Sequence, residues 1–123
     1  MGVFFYGRRM YDRALTEFEQ ALKLLPQSPI LHYNLGGTLF GMGRFAGAET
    51  AFRTALALDP DHLEARYFLG LTLRELGRST EALHEMETVL RSDPSDRLRR
   101  EAREQITILR AALEPILPWR GES

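Results

Sequence analysis

The side chains that most often carry out chemistry in proteins are few in this sequence and lie far apart. Its three histidines, His32, His62 and His84, fall in different parts of the chain, so none has a second histidine at the spacing of a metal-binding helix. There is no cysteine, which excludes a thiolate nucleophile, a disulfide and a zinc–cysteine site. We therefore expect structural roles for the histidines.

Two glutamates could form a carboxylate pair, because Glu81 and Glu85 share one helical face beside His84 and Glu87. General acid–base chemistry also needs a reacting partner nearby, and the sequence around them supplies neither a nucleophile nor a base. We interpret these residues as a solvated helix surface. The sequence thus predicts a chain without enzyme activity, cofactor or metal.

Composition narrows the class of partner. The chain has 123 residues, with 16 basic and 17 acidic side chains and a net charge of −1. Nucleic acids and anionic membranes attract net basic surfaces, and no segment approaches the roughly 18 apolar residues that span a bilayer. We expect no nucleic-acid partner and no membrane insertion. The default compartment is the cytoplasm, with the periplasm equally compatible.

The elements that position these side chains follow a 34-residue repeat. The interval from Pro26 to Pro60 is the same as the interval from Pro60 to Pro94. Four columns are identical in all three copies, and a fifth holds a large apolar residue; beyond the prolines these columns are Gly2/Gly36/Gly70, Ala14/Ala48/Ala82, Leu22/Leu56/Leu90 and Phe18/Phe52/Met86. A fixed period of this length is typical of stacked repeats.

Each repeat is predicted to contain two helices and no strand. In the second repeat, apolar residues at helical spacing precede Gly41-Met42-Gly43, and a second amphipathic stretch runs from Phe45 to a stop at Asp59-Pro60. Ser28-Pro29 is a helix-start signal, and Asp61 with Glu64 is predicted to form a capping box.

The repeated glycines have a predicted steric role. Gly36 and Gly70 lie in the middle of helices, where glycine costs about 1 kcal/mol relative to alanine. We expect them to permit close approach of the paired helix at the alanine column. Phe18, Phe52 and Met86 are then predicted to fill the space beside each close contact.

Over residues 1–94 the sequence resembles the tetratricopeptide repeat family, through Leu35-Gly36, Ala48 with Phe52, Pro60, Leu69-Gly70, Ala82 and Pro94. His32 and Arg66 depart from the family pattern, which often has tryptophan there, and Leu39 and Leu73 replace a usual tyrosine. The resemblance implies an all-α fold, a right-handed α-solenoid of antiparallel helix pairs with about seven helices.

The repeat divides the chain into five segments. These are a first repeat at 1–26, a second at 27–60, a third at 61–94, a capping helix at 95–114 and a tail at 115–123. The first repeat lacks about six residues of its opening helix, which suggests a piece of a longer protein. In the cap, one apolar face is predicted, formed by Leu98, Ala102, Ile106, Leu109 and Leu113.

The resemblance also implies a binding surface. In this family the first helix of each repeat lines a concave groove, and here the lining falls on Val3, Tyr6, Ile30, Tyr33, Asn34, Gly37, Phe40, Glu64, Tyr67, Leu71 and Arg74. Aromatic residues on such a face are candidate hot spots. We expect a pocket around Phe40, where Gly37 and Gly41 leave room, and we expect Phe68 to pack against its neighbour.

One mode of binding known in the family does not fit these residues. Some members hold the C-terminal carboxylate of chaperones with asparagines and basic residues. Asn34 matches one asparagine of that clamp, but Val3 replaces the other. Glu64 and Phe68 stand where lysine and arginine are needed, and the first lysine's place precedes Met1. An asparagine ladder also fails, since Asn34 has no counterpart beside Gly2 or Gly70.

The leading hypothesis is a non-enzymatic interaction module that binds a peptide or helix in an aromatic-lined groove. Two alternatives stay open. The chain could be a self-association module that forms a homo-oligomer through its terminal helices, or a regulatory fragment of a larger enzyme. A fold shared by scaffolds of many pathways does not by itself identify the partner.

Overall fold

The computed structural model describes the backbone of residues 2–114 and the side chains of residues 9–114; the tail at 115–123 lies outside the described residues. The described backbone forms six helices and no strand: α1 Gly2–Leu24, α2 Pro29–Gly41, α3 Phe45–Leu58, α4 Leu63–Glu75, α5 Ser79–Arg91 and α6 Asp96–Leu113. Each helix packs against the next, and α2, α4 and α6 also touch in turn. The predicted all-α solenoid is confirmed.

Side-chain caps set where three of the helices begin. The Ser28 hydroxyl accepts a hydrogen bond from the Leu31 N–H at 3.3 Å, with Pro29 in the first turn of α2. This predicted start is confirmed. The predicted capping box at Asp61 and Glu64 is wrong, because His62 caps α4 and its Nδ1 accepts from the Ala65 N–H at 3.1 Å. An imidazole lone pair replaces a carboxylate at this cap.

The turn between paired helices depends on one glycine in each complete repeat. Gly43 and Gly77 have φ angles of +79° and +80°, a conformation that costs other residues about 1–2 kcal/mol. In the first repeat the same register holds Arg9. There the chain makes no turn, and α1 runs on from Gly2 to Leu24 as one helix. The first repeat therefore contributes one long helix where the sequence predicted a shortened helix, a turn and a second helix.

Close packing at the repeated glycines is present in the second and third repeats. A Cβ built on Gly36 would lie 2.7 Å from Cδ1 of Phe52, and one on Gly70 would lie 2.7 Å from Cε of Met86. The side chains of Phe52 and Met86 are fully buried. The predicted steric role of these two glycines is confirmed.

The first repeat does not reproduce this contact. Phe18 and Gly2 lie on the same continuous helix, so the prediction that Phe18 fills the space beside Gly2 is wrong. Phe18 is half-buried, whereas Phe52 at the same position of the next repeat is fully buried. Among the described helices, α1 contacts only α2.

The last helix closes the stack as predicted over most of its length. Leu98, Ala102, Ile106 and Leu109 are buried against α5 and the core. Leu113, the fifth residue of the predicted face, is 41% exposed at the end of the helix. The Ser95 hydroxyl caps α6 by accepting from the Leu98 N–H at 3.2 Å.

Candidate functional site

Aromatic rings from three helices meet where α2, α3 and α4 join. The Tyr33 ring centroid lies 4.6 Å from that of His62 and 6.1 Å from that of Phe68. Phe68 stacks on the buried Phe52 at 6.1 Å with an interplanar angle of 24°. These offset and edge-on arrangements are the favourable ones for aromatic pairs. The cluster fixes Tyr33 and Phe68 in place without burying either side chain completely.

A first depression opens on one side of this cluster, between α1, α2 and α4. Its volume is about 310 Å³. The lining residues are mainly apolar or aromatic, with one amide and one aliphatic hydroxyl besides the two tyrosines: Tyr11, Phe18, Tyr33, Asn34, Gly37, Thr38 and Phe68. The Thr38 hydroxyl is already engaged, since it donates to the Asn34 carbonyl at 3.0 Å. We call this the first depression.

A second depression lies on the other side of the same rings, between α4 and the start of α6. Its volume is about 390 Å³, and its lining is Tyr33, Glu64, Tyr67, Phe68, Ser95, Arg97, Leu98 and Glu101. Tyr33 and Phe68 therefore belong to both depressions. The two together form one continuous surface across α2, α4 and α6, which we call the groove.

Two tyrosine hydroxyls at the groove, those of Tyr33 and Tyr67, have raised pKa values. Burial raises the pKa of Tyr33, and the Glu64 carboxylate adds to the effect. Burial also raises the pKa of Tyr67, with Glu101 and Glu104 adding to it and Arg74 opposing it. Both phenols therefore remain protonated donors at neutral pH.

The structure brings five of the predicted groove residues to the two depressions. Tyr33, Asn34 and Gly37 line the first. Tyr33, Glu64 and Tyr67 line the second, and Tyr67 is largely buried.

The other predicted residues lie elsewhere. The room expected beside Phe40 is not left by Gly41, because a Cβ built there would lie 2.6 Å from the Tyr11 ring. Phe40 packs edge-on against Phe45 at 5.3 Å and against Phe68 at 6.2 Å, and it lines neither depression. Leu71 packs on the core, Arg74 donates to Gln105 Oε1 at 2.9 Å, and Ile30 is 54% exposed outside both depressions. The side chains of Val3 and Tyr6 lie outside the described residues.

Sequence reasoning missed the contributions of α1 and α6. Tyr11 and Phe18 reach the first depression because α1 runs on without the glycine turn, and Arg9 at the Gly43 register is the signal for this. On α6, Leu98 and Glu101 stand one repeat period after Glu64 and Tyr67. Extending the repeat register by one more unit would have identified them.

Neither metal binding nor membrane spanning finds support among the described residues. No group of three or more histidine, aspartate or glutamate side chains among them is placed to hold a metal ion. None of the described helices combines the length and apolar character needed to cross a bilayer.

Known sequence families match most of the chain. A family model described as tetratricopeptide repeat matches residues 38–97, and a second, described as TPR repeat, matches residues 10–43. No curated protein sequence matches the chain significantly.

Solved structures share the fold over nearly the whole chain. The first TPR of Spaghetti (RPAP3), bound to the HSP90 peptide SRMEEVD, is 25% identical with a TM-score of 0.79, covering 91% of this chain and 86% of that one. The Sgt2 TPR domain from Aspergillus fumigatus is 22% identical with a TM-score of 0.78, covering 99% and 83%. The Yersinia enterocolitica secretion chaperone SycD, in complex with a peptide of the translocator YopD, is 15% identical with a TM-score of 0.80, covering 89% and 86%.

Proposed function

Because the chain belongs to the tetratricopeptide repeat family, we propose that it is a protein-interaction module that binds a peptide segment of a partner in the groove. The observation that carries this proposal is the pair of adjoining depressions that share the rings of Tyr33 and Phe68. Support comes from the Spaghetti TPR, which is 25% identical and holds a peptide of a chaperone.

Affinity would come mainly from apolar side chains of the partner that enter the depressions. Full burial of one such side chain is worth about 1.5–3 kcal/mol, and a few central anchors usually carry most of the binding energy. Tyr33 and Phe68 are held by the aromatic cluster before a peptide arrives, so little ordering of the protein opposes binding.

The bound segment is an internal stretch of the partner or an uncharged end, not a terminal carboxylate. Glu64, whose side chain is 62% exposed, lines the second depression where the family's carboxylate clamp has a basic residue. A carboxylate of the partner brought to this position would be repelled by the like charge of Glu64. The chain therefore differs in its mode of binding from members that use this clamp.

A blocking substitution tests the proposal. Peptides are selected from a random display library on the wild-type protein and then titrated against Gly37→Leu. A Cβ on Gly37 meets no atom within 4 Å, so leucine fills the first depression without disturbing the core. We expect at least a tenfold loss of affinity with an unchanged circular dichroism spectrum.

The matched control is Ala57→Leu, which adds the same side chain to an exposed position of α3 outside both depressions. It should bind the peptides as the wild type does. Equal binding by Gly37→Leu and wild type would overturn the groove as the binding site.

Self-association is a second candidate, and one observation favours it. Ala14, Phe18 and Ala21 on α1 are half-buried, although Ala48, Phe52 and Ala55 at the same repeat positions of α3 are fully buried by α2 and its neighbours. Two copies that pair these faces about a two-fold axis would cover both, since the same patch meets itself in such a dimer.

Solution mass tests this second candidate. Light scattering over a concentration series should show a dimer that Ala14→Glu dissociates and that Thr16→Glu, at an exposed position of the same helix, leaves intact. A monomer at every concentration would rule self-association out.

A further inference from the structure

We propose that the second depression accepts a lysine or arginine side chain of the partner peptide while the first depression accepts an apolar one, an inference that rests on the proposed function. Tyr33, Tyr67 and Phe68 supply aromatic walls, and Glu64 and Glu101 supply carboxylates at the rim. Cations are attracted to ring faces and to carboxylates, and a guanidinium also stacks on rings.

The charges of the lining favour a cation. Among the described side chains, Arg97 is the only arginine or lysine that lines the second depression, and it is already paired with Glu101, Nε to Oε2 at 3.2 Å. No arginine or lysine in the described part of the chain forms an ion pair with Glu64. The lining therefore has one carboxylate in excess, and it belongs to an exposed side chain that an incoming peptide meets directly.

His62 does not neutralise this carboxylate. Its Nδ1 lies 4.0 Å from Glu64 Oε1, but the same nitrogen accepts a hydrogen bond from the Ala65 N–H. A lone pair used in this way leaves the imidazole uncharged, because an imidazolium has a proton on both nitrogens. The contact between His62 Nδ1 and Glu64 Oε1 is therefore not an ion pair.

The N-termini of α4 and α6, which carry a partial positive charge, also lie at this depression. Residues of the same two helices reduce that charge. The N–H groups of Ala65 and Leu98 are taken by the caps His62 and Ser95, and the first turns of α4 and α6 carry Glu64 and Asp96. The end of a helix carries only about half a unit charge, so Glu64 stays net negative beside α4, and Asp96 offsets the end of α6. Burial is the largest cause of the raised pKa values of Tyr33 and Tyr67; Glu64 adds to the first, and Glu101 and Glu104 add to the second against the opposing charge of Arg74.

The two depressions set the spacing of the peptide's side chains. They adjoin at Tyr33 and Phe68, the first beside α1 and α2 and the second beside α4 and α6, and neighbouring packed helices are about 8–10 Å apart. An extended chain advances about 3.3–3.6 Å per residue. An apolar residue and a basic residue about three positions apart therefore match the two sites.

Capped synthetic peptides test the inference directly. The probes are eight-residue acetylated and amidated peptides of serine and glycine that contain phenylalanine and arginine three residues apart, in both orders. In matched peptides citrulline or glutamate replaces the arginine. Titration is followed by amide chemical shifts of the labelled full chain.

We expect the better arginine peptide to bind at least fivefold more tightly than its citrulline counterpart and the glutamate peptide to bind most weakly. Glu64→Gln should remove most of the preference for arginine while leaving the affinity of the citrulline peptide unchanged. Glu114→Gln, which removes an exposed carboxylate that lines neither depression, should keep the preference.

The outcomes separate the two proposals. Equal binding of the arginine and citrulline peptides at the groove, or tighter binding of the glutamate peptide, overturns the cation site and leaves the proposed function standing. Binding of no peptide, or shifts confined to residues outside the groove, overturns the proposed function and this inference with it.

Discussion

At the scale of single residues, Gly36 and Gly70 occupy the same position of successive repeats but face different side chains. The contact of Gly36 is the rigid ring of Phe52, and the nearest atom to Gly70 is the terminal methyl group of Met86. A methionine end can rotate away, whereas a buried ring has no free space to enter. A methyl group added at Gly36 should therefore lower the free energy of unfolding more than one added at Gly70.

We predict that Gly36→Ala destabilises the protein by up to about 2 kcal/mol. Overpacking costs about 1–3 kcal/mol and outweighs the gain of about 1 kcal/mol in helix propensity. The free energy of unfolding of Gly70→Ala should be close to that of the wild type. Urea unfolding followed by circular dichroism measures both, and a larger loss for Gly70→Ala would contradict this account of the packing.

A second pair of glycines separates backbone conformation from packing. A Cβ on either Gly77 or Gly37 would meet no atom within 4 Å, but only Gly77 has a positive φ, at +80°. Gly77→Ala should destabilise by about 1 kcal/mol, and Gly37→Ala should stabilise by up to about 1 kcal/mol. If urea unfolding showed that both substitutions change the free energy of unfolding in the same direction, the φ angle would not explain their effects.

At the scale of elements, α1 differs from the other helices in how firmly it is held. From residue 9 to residue 24 it contains no buried side chain, whereas α3, α4 and α5 each contain several. Segments with few buried apolar contacts open locally at low free energy. The wall that α1 gives to the first depression is therefore the least stable part of the groove.

Hydrogen exchange should reveal this difference. We predict that the amides of α1 exchange at least tenfold faster than those of α3 and α4 at neutral pH. A bound peptide that contacts Tyr11 or Phe18 should slow α1 selectively. Equal protection of α1 and α3 in the free protein would contradict the described packing.

An ion-pair network joins α3 to α5. Glu49 lies 2.8 Å from Arg78 Nη1 and 2.9 Å from Arg53 Nε, and Arg78 also binds Glu81. Burial alone would raise the pKa of Glu49, but the hydrogen bonds and charges of Arg78 and Arg53 outweigh it and lower the pKa. The network is thus stabilising only while Glu49 is ionised.

The Glu49 network makes the stability of the protein depend on pH. A carboxyl whose pKa is lower in the folded state stabilises the protein above its unfolded pKa, and this contribution is lost as the pH falls through the folded value. The stability difference between wild type and Glu49→Gln should be greatest near pH 7 and shrink below the ordinary carboxyl value of 4.5. A difference that is constant from pH 7 to pH 3 would exclude the network as its cause.

At the scale of the whole molecule, the repeat explains why the sequence predicted so much of the fold. Each helix contacts its neighbours in sequence, so columns one repeat period apart identify the helices that pack together. The family resemblance, applied in this register, implied Tyr33, Asn34, Gly37, Glu64 and Tyr67 as groove residues, and all five line the depressions.

The remaining differences arise where a contact is not part of the repeat. Phe40 turns toward Phe45, an aromatic residue that the third repeat replaces with Ser79. His62 takes the cap at which the sequence pattern favoured a carboxylate. The first depression depends on α1, which runs on as one helix through Arg9, the position where the later repeats have a turn glycine. Pattern alone does not show which of two compatible partners a side chain meets.

The central claim is that a partner peptide lies on the groove across α2, α4 and α6. Isotope-filtered nuclear Overhauser measurements between a selected unlabelled peptide and the labelled protein test it most directly. The account predicts contacts from the peptide to the ring protons of Tyr33 and Phe68, which both depressions share. Contacts confined to the exposed faces of α3 and α5, with none to these two rings, would contradict it.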